Sequence, residues 1–102
     1  MSKNRVKYGV KKDLGQVLKE ENKFRKDLKL TKRRGKNIEK LKEVVYKLAN
    51  GHALPPKNRD HNLSGNYSGF KECHIEPDWL LIYRITEIEL ILIRTGTHAD
   101  LF

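Results

Sequence analysis

The sequence has a single cysteine, Cys73, and no long uninterrupted apolar run. A lone thiol excludes an internal disulfide, and without a long apolar run neither a signal peptide nor a membrane span is expected. The expected setting is the reducing cytoplasm, with Cys73 as a buried thiol. The Cys/His spacing of a zinc finger, a glycine-rich phosphate cradle and the elbow of a nucleophilic serine are all missing. There is no internal repeat and no low-complexity segment. What is left for chemistry is imidazole and carboxylate.

At 102 residues the chain has room for one domain with a modest core that needs no covalent staples. Its net charge of +9 is unevenly spread. Residues 1–50 hold 17 Lys and Arg against 6 Asp and Glu, a net of +11, whereas residues 51–102 hold 5 against 7, a net of −2. So basic a half suits a polyphosphate partner, because each neutralised phosphate releases counterions. It equally suits an acidic protein, and the plainest reading is a solvated lysine-rich helical surface.

Residues 1–12 are polar and basic apart from the alternation Val6-Lys7-Tyr8, and suit either an extension or a first strand. Leu14, Val17, Leu18, Glu21, Phe24 and Leu28 then follow helical spacing behind a cap at Asp13, although Gly15 and Asn22 weaken a continuous helix. The firm part of that helix runs over 22–34 and stops at Gly35. Ile38, Leu41, Val44, Val45 and Leu48 form a second amphipathic stripe, so a helix is predicted over 36–50, ending at Gly51. Gly, Pro, Asn, Asp and Ser dominate 51–69, which is a long loop of the kind that often carries function. Strands are predicted over 70–76, 79–86 and 88–95, the last two as an antiparallel hairpin buried on most of both faces. Helices followed by strands give an α+β domain, with a helical pair on one face of an antiparallel sheet.

The densest chemistry lies in Lys71–Trp79, where Glu72, His74 and Asp78 fall on a strand entering a Pro-Asp turn. Strict alternation points Phe70, Glu72, His74 and Glu76 one way and Lys71, Cys73 and Ile75 the other. His61, in the preceding loop, and His98, past the last strand, have to be brought there by folding. Such a set suits cleavage of RNA through its own 2′-hydroxyl: one group takes the hydroxyl proton, a cation steadies the phosphorane, and an acid protonates the departing 5′-oxygen. Carboxylates such as Asp78 or Glu72 would favour a charged imidazole, and nearby Arg or Lys a neutral one. Arg59, Lys71, Arg84 and Arg94 are the cations close by in sequence. His61, His74, His98 and Asp78 also include the ligand types of a two-His, one-carboxylate centre. Nothing in their spacing demands one, so no metal or cofactor is expected. His52 reads as a plain surface residue, and Phe70, Trp79 and Tyr83 read as core. Phe102 either docks into the core or stacks on a ligand.

From about Phe24 to Phe102 the chain resembles the YafQ branch of the RelE/ParE toxin superfamily. The resemblance rests on Lys-Asp-Leu-Lys at 26–29, Lys-Arg-Arg-Gly-Lys-Asn at 32–37, Leu-Pro-Pro at 54–56 and Arg-Asp-His-Asn-Leu-Ser-Gly at 59–65. Glu-Cys-His-Ile-Glu-Pro-Asp-Trp-Leu-Leu-Ile-Tyr at 72–83 and Arg-Thr-Gly-Thr-His-Ala-Asp-Leu-Phe at 94–102 complete it. It implies a helical hairpin on a small sheet and ribosome-dependent endoribonuclease activity on mRNA. It also implies a cognate antitoxin as partner, the two together forming a heterotetramer. By motif, His61, His74, Asp78 and His98 fall on the family's catalytic positions and Phe102 on its terminal substrate-orienting aromatic. Glu72, which stands where some relatives have Asp, joins Arg59, Lys71 and Arg94 as a candidate for substrate contact. The family's first strand would fall near 17–20, where this sequence reads as helix, leaving 1–15 as an extension before a domain over 16–102. A non-cleaving RNA- or protein-binding relative and a ParE-like gyrase inhibitor are the rival readings.

Overall fold

Two amphipathic stripes and three apolar strands decide how the layers form. The computed structural model describes residues 17–102, so the proposed extension over 1–15, the Val6-Lys7-Tyr8 alternation and the Asp13 cap lie outside the described residues. Helix α1 (Asn22–Arg33) buries Phe24, Leu28 and Thr31, and helix α2 (Ile38–Ala49) buries Leu41, Val44, Val45, Leu48 and Ala49. Each large apolar side chain so buried contributes about 1.5–3 kcal/mol. Gly35, at φ 80°, supplies the left-handed turn that separates the helices. Asn37 then caps α2 by accepting from the Glu39 amide at 3.0 Å.

The helices pack on a five-stranded sheet built from β1 (Val17–Glu20), β2 (His61–Asn62), β3 (Lys71–Glu76), β4 (Trp79–Ile85) and β5 (Glu89–Gly96), in the spatial order β1-β5-β4-β3-β2. The α+β architecture is as the sequence predicts. Its first strand is not, because 17–20 is extended rather than helical and runs parallel to β5, making the sheet mixed. The Val17 amide donates to the Ile88 carbonyl at 2.8 Å and the Glu21 amide to the Leu92 carbonyl at 2.9 Å. Those ladder bonds satisfy the edge of β5, and tertiary pairing overrides the local helical spacing.

Strand β4 has a core on each face. Phe24, Leu41, Val45, Trp79 and Leu81 belong to the helix-side core, while Leu80, Ile82 and Leu101 form a smaller one opposite. The second core is covered by Leu63, Tyr67 and Phe70 from the long loop and by a short terminal helix α3 (His98–Leu101). That loop also contains β2 and two 3-10 turns, Pro56–Asn58 and Gly65–Tyr67, none of which the composition signals.

Alternation along β3 breaks at its end. His74 pairs with Leu80, but Glu76 pairs with Trp79, so Ile75 is an extra residue in a bulge. Glu76 therefore turns to the helix side, where Lys36 and Lys40 each reach it at 3.0 Å, instead of sharing a face with His74.

Candidate active site

The face of β3 opposite the helices carries Glu72 and His74, both buried at 5% and 7% exposure. Antiparallel pairing of β2 sets His61 directly across from Glu72. At the other end Leu80 pairs with Gly96, so the residues two steps outward, Asp78 in the β3–β4 turn and His98 at the start of α3, meet. Sheet register thus brings together the three imidazoles and the aspartate, from positions up to 37 residues apart in the numbering.

Ring centroids run in a row, with His61 to His74 at 6.4 Å, His74 to His98 at 5.8 Å and His98 to Phe102 at 6.5 Å. Hydrogen bonds fix which ring nitrogen is available. Nδ1 of His61 faces the Arg59 carbonyl at 2.7 Å, and Nδ1 of His74 faces the Pro77 carbonyl at 3.2 Å. A carbonyl oxygen can only accept, so each Nδ1 carries a proton and each Nε2 is the working nitrogen. Both Nε2 atoms look toward one oxygen of Glu72, at 3.5 Å and 3.4 Å. His98 is held differently: Nδ1 donates to Asp78 at 2.6 Å and its backbone amide to the same oxygen at 2.9 Å. The backbone donor and then the ring donor hold the Asp78 carboxyl below its ordinary range. The arrangement offers a carboxylate shared by two imidazoles and a carboxylate-oriented third, which is equipment for moving protons.

The platform under His98 is rigidly built. Thr97 and Asp100 form a capping box at the start of α3, Leu101 is buried, and Arg34 clamps Asp100 through two bonds of 2.7 Å and 3.2 Å. That guanidinium is the first cause, ahead of the Thr97 amide, of an Asp100 carboxyl held well below the carboxylate range. A Cβ on Gly96 would lie 2.9 Å from the Asp100 carboxylate, so the clamp needs glycine there. Phe102, one turn after His98, presents a ring 65% exposed, met edge-on by Tyr67 at 5.5 Å. Tyr67, Arg34 and Asp100 escape a sequence reading based on histidines. Of their signals only Thr97-His98-Ala99-Asp100, a capping-box spacing, is legible without coordinates.

The remaining sequence candidates are engaged by other groups, Arg94 also interacting with Tyr67. Lys71 pairs with Tyr83 on the helix side and reaches Asp60 at 3.5 Å. Arg94 is locked to Asp27 of α1 by bonds of 2.7 Å and 3.1 Å. Arg59 contributes its carbonyl to His61 while its own backbone is left-handed, at φ 47°. His52 lies edge-on to Tyr46 of α2. Among the described residues no group of three or more His, Cys, Asp or Glu side chains is arranged to hold a metal ion. A groove of about 460 Å³ lies between α2 and the end of β3, lined by Lys40, Val44, Lys47 and Ile75, on the opposite side of the sheet from the imidazoles. No described helix is long and apolar enough to cross a membrane.

Comparison with known proteins agrees with the fold. The mRNA interferase toxin YafQ of Escherichia coli K12 is 45% identical over 80 residues, which cover 78% of this chain and 87% of that protein. The crystal structure of YafQ from E. coli BL21(DE3) superposes with a TM-score of 0.82 at 40% identity, covering 85% of this chain and 98% of that one. A chain of the E. coli DinJ-YafQ complex gives a TM-score of 0.80 at 41% identity, with coverage of 85% and 98%. The family model for YafQ, the bacterial toxin of a type II toxin–antitoxin system, matches residues 16–102, and the chain belongs to that family.

Proposed function

We propose that this protein is a cytoplasmic toxin that cuts mRNA on the ribosome by acid–base catalysis through the 2′-hydroxyl. The observation that carries the reading is the row of three imidazoles, each with Nδ1 committed to an acceptor and Nε2 left for chemistry. In the reaction His98 accepts the 2′-hydroxyl proton at Nε2, with Asp78 orienting the ring through Nδ1. The 2′-oxygen attacks phosphorus, and the bond to the 5′-oxygen breaks as His74 delivers a proton to it. The products are a 2′,3′-cyclic phosphate and a 5′-hydroxyl. Glu72 orients Nε2 of both His74 and His61, at 3.4 Å and 3.5 Å, and a cation at His61 steadies the phosphorane. Phe102 offers a face on which a base beside the cut can stack.

The exposed cations of α1, among them Lys23, Lys26, Lys29 and Lys32, suit the phosphates of ribosomal RNA. The same basic surface suits an acidic cognate antitoxin, since relatives of this fold occur in a DinJ-YafQ complex. A reconstituted translation reaction tests the reading. With ribosomes present the added protein cuts the translated message, and without ribosomes it leaves the same message intact. Cutting that ignores ribosomes, or arrest of DNA supercoiling with messages untouched, rejects it.

A further inference from the structure

Two side chains that this chemistry leaves unused bracket the loop carrying His61. The amide of Asn58, buried at 5% exposure, donates to the His74 carbonyl at 2.7 Å. Strand β2 covers β3 only at Lys71 and Glu72, so at His74 it is Asn58 that supplies a donor to the strand edge. On the other side of Arg59, Asp60 accepts from the Tyr83 hydroxyl and faces the Lys71 ammonium at 3.5 Å. Burial, and after it the Asp60 carboxylate, push the Tyr83 phenol up, so the hydroxyl remains a donor. Between these anchors Arg59 is the one non-glycine residue with positive φ among the described residues. Such a conformation persists where its flanks over-determine it. The left-handed turn aims the Arg59 carbonyl at Nδ1 of His61.

We propose that Asn58 and Asp60 are positioning residues that together hold the Arg59 turn, and through it the Nδ1-protonated tautomer of His61 with Nε2 facing Glu72. The consequence for catalysis rests on the function proposed above; the tautomer does not. Asn58 couples the two halves of the site directly, because it ties the loop of His61 to the backbone of His74. Asp60 anchors the same loop from the opposite side of the sheet, through the hydroxyl of the buried core residue Tyr83.

The experiment uses the full chain labelled with 15N, in wild type, Asn58→Ala, Tyr83→Phe, Asp60→Ala and Asp60→Asn. Long-range proton–nitrogen spectra at alkaline pH report the neutral tautomer of each histidine, and His98, held by Asp78, serves as the internal standard of an intact fold. His61 in the wild type shows protonated Nδ1 and bare Nε2. In Asn58→Ala, Tyr83→Phe and Asp60→Ala its signals move toward the opposite tautomer while His98 keeps its pattern, and in Asp60→Asn, which still offers Tyr83 an acceptor, the wild-type pattern returns. An unchanged His61 pattern in both Asn58→Ala and Tyr83→Phe overturns the proposal. In the cleavage reaction the three disrupting variants lose about 10- to 100-fold in kcat with KM nearly unchanged, as misplacement of a group that steadies the transition state does. If the tautomer shifts and kcat does not, the positioning role stands and the catalytic role assigned to His61 falls.

Discussion

Replacing His74 with alanine separates fold from chemistry because the two losses differ in size. The ring is buried, donates to the Pro77 carbonyl at 3.2 Å and faces Glu72 at 3.4 Å. Removing it costs about 1–3 kcal/mol of stability, the usual range for one partly polar buried side chain. A domain of this kind has roughly 5–15 kcal/mol in hand, so His74→Ala remains folded at 25 °C. A positioned acid or base contributes about 10²–10⁴ in rate, equivalent to roughly 2.7–5.4 kcal/mol of barrier. The variant is therefore expected to melt cooperatively at a lower temperature, to form the toxin–antitoxin complex, and to lose at least a hundredfold in message cleavage. Circular dichroism melts and single-turnover cleavage on stalled ribosomes measure the two quantities on the same sample. Cleavage within threefold of wild type, in a protein shown to be folded, would remove His74 from the proton transfers.

Further outcomes follow from three other parts of the molecule. Asp100→Ala removes both the capping box and the Arg34 clamp, so hydrogen exchange at the amides of 100–102 should quicken while β4 stays protected. Because the folded Asp100 carboxyl lies below its unfolded value, its contribution is whole above about pH 4 and fades as pH falls below that. Protection of those amides in the wild type should therefore decline between about pH 4 and 2, and protection that is flat over that range would contradict the clamp. Thr95→Val removes the acceptor that the buried Trp79 Nε1–H meets at 2.9 Å and one donor to the Leu80 carbonyl at 2.6 Å. The orphaned Trp79 donor costs about 1–3 kcal/mol, and the melting temperature should fall by roughly 5–20 °C. Replacing Lys26, Lys29 and Lys32 with alanine should flatten the dependence of ribosome affinity on salt, by about 0.7–0.9 in logarithmic slope for each phosphate no longer neutralised; an unaltered slope would place the ribosome-binding surface elsewhere.

Periodicity exposes the parts of this fold that are local. Phe24 and Leu28, and Leu41, Val44 and Val45, announce the two helices because one face of each must be apolar. The run from Trp79 to Tyr83 announces a strand buried on both sides, and both cores use it. Residues 17–20 mislead for the opposite reason, since Val17 and Leu18 keep helical spacing while the edge of β5 supplies the bonds that make them a strand. Glu76 misleads because a bulge at Ile75 is a property of the ladder and leaves no mark in alternation. The site is legible in kind, as imidazole and carboxylate, but its convergence depends on the Leu80–Gly96 and His61–Glu72 registers, which no single segment encodes. The supporting interactions of Asn58, Asp60, Arg34 and Tyr67 are still less visible, being long-range and made by residue types common on surfaces.

The chemistry of the cut ends tests the imidazole mechanism most directly. Attack by the neighbouring 2′-oxygen retains the phosphate on the upstream fragment, so mass spectrometry of its 3′ terminus should show a 2′,3′-cyclic phosphate or its opened phosphate, with a 5′-hydroxyl downstream. An upstream 3′-hydroxyl paired with a downstream 5′-phosphate would mean that water attacked instead, and the assignment of His98 to the 2′-hydroxyl proton would fall with it.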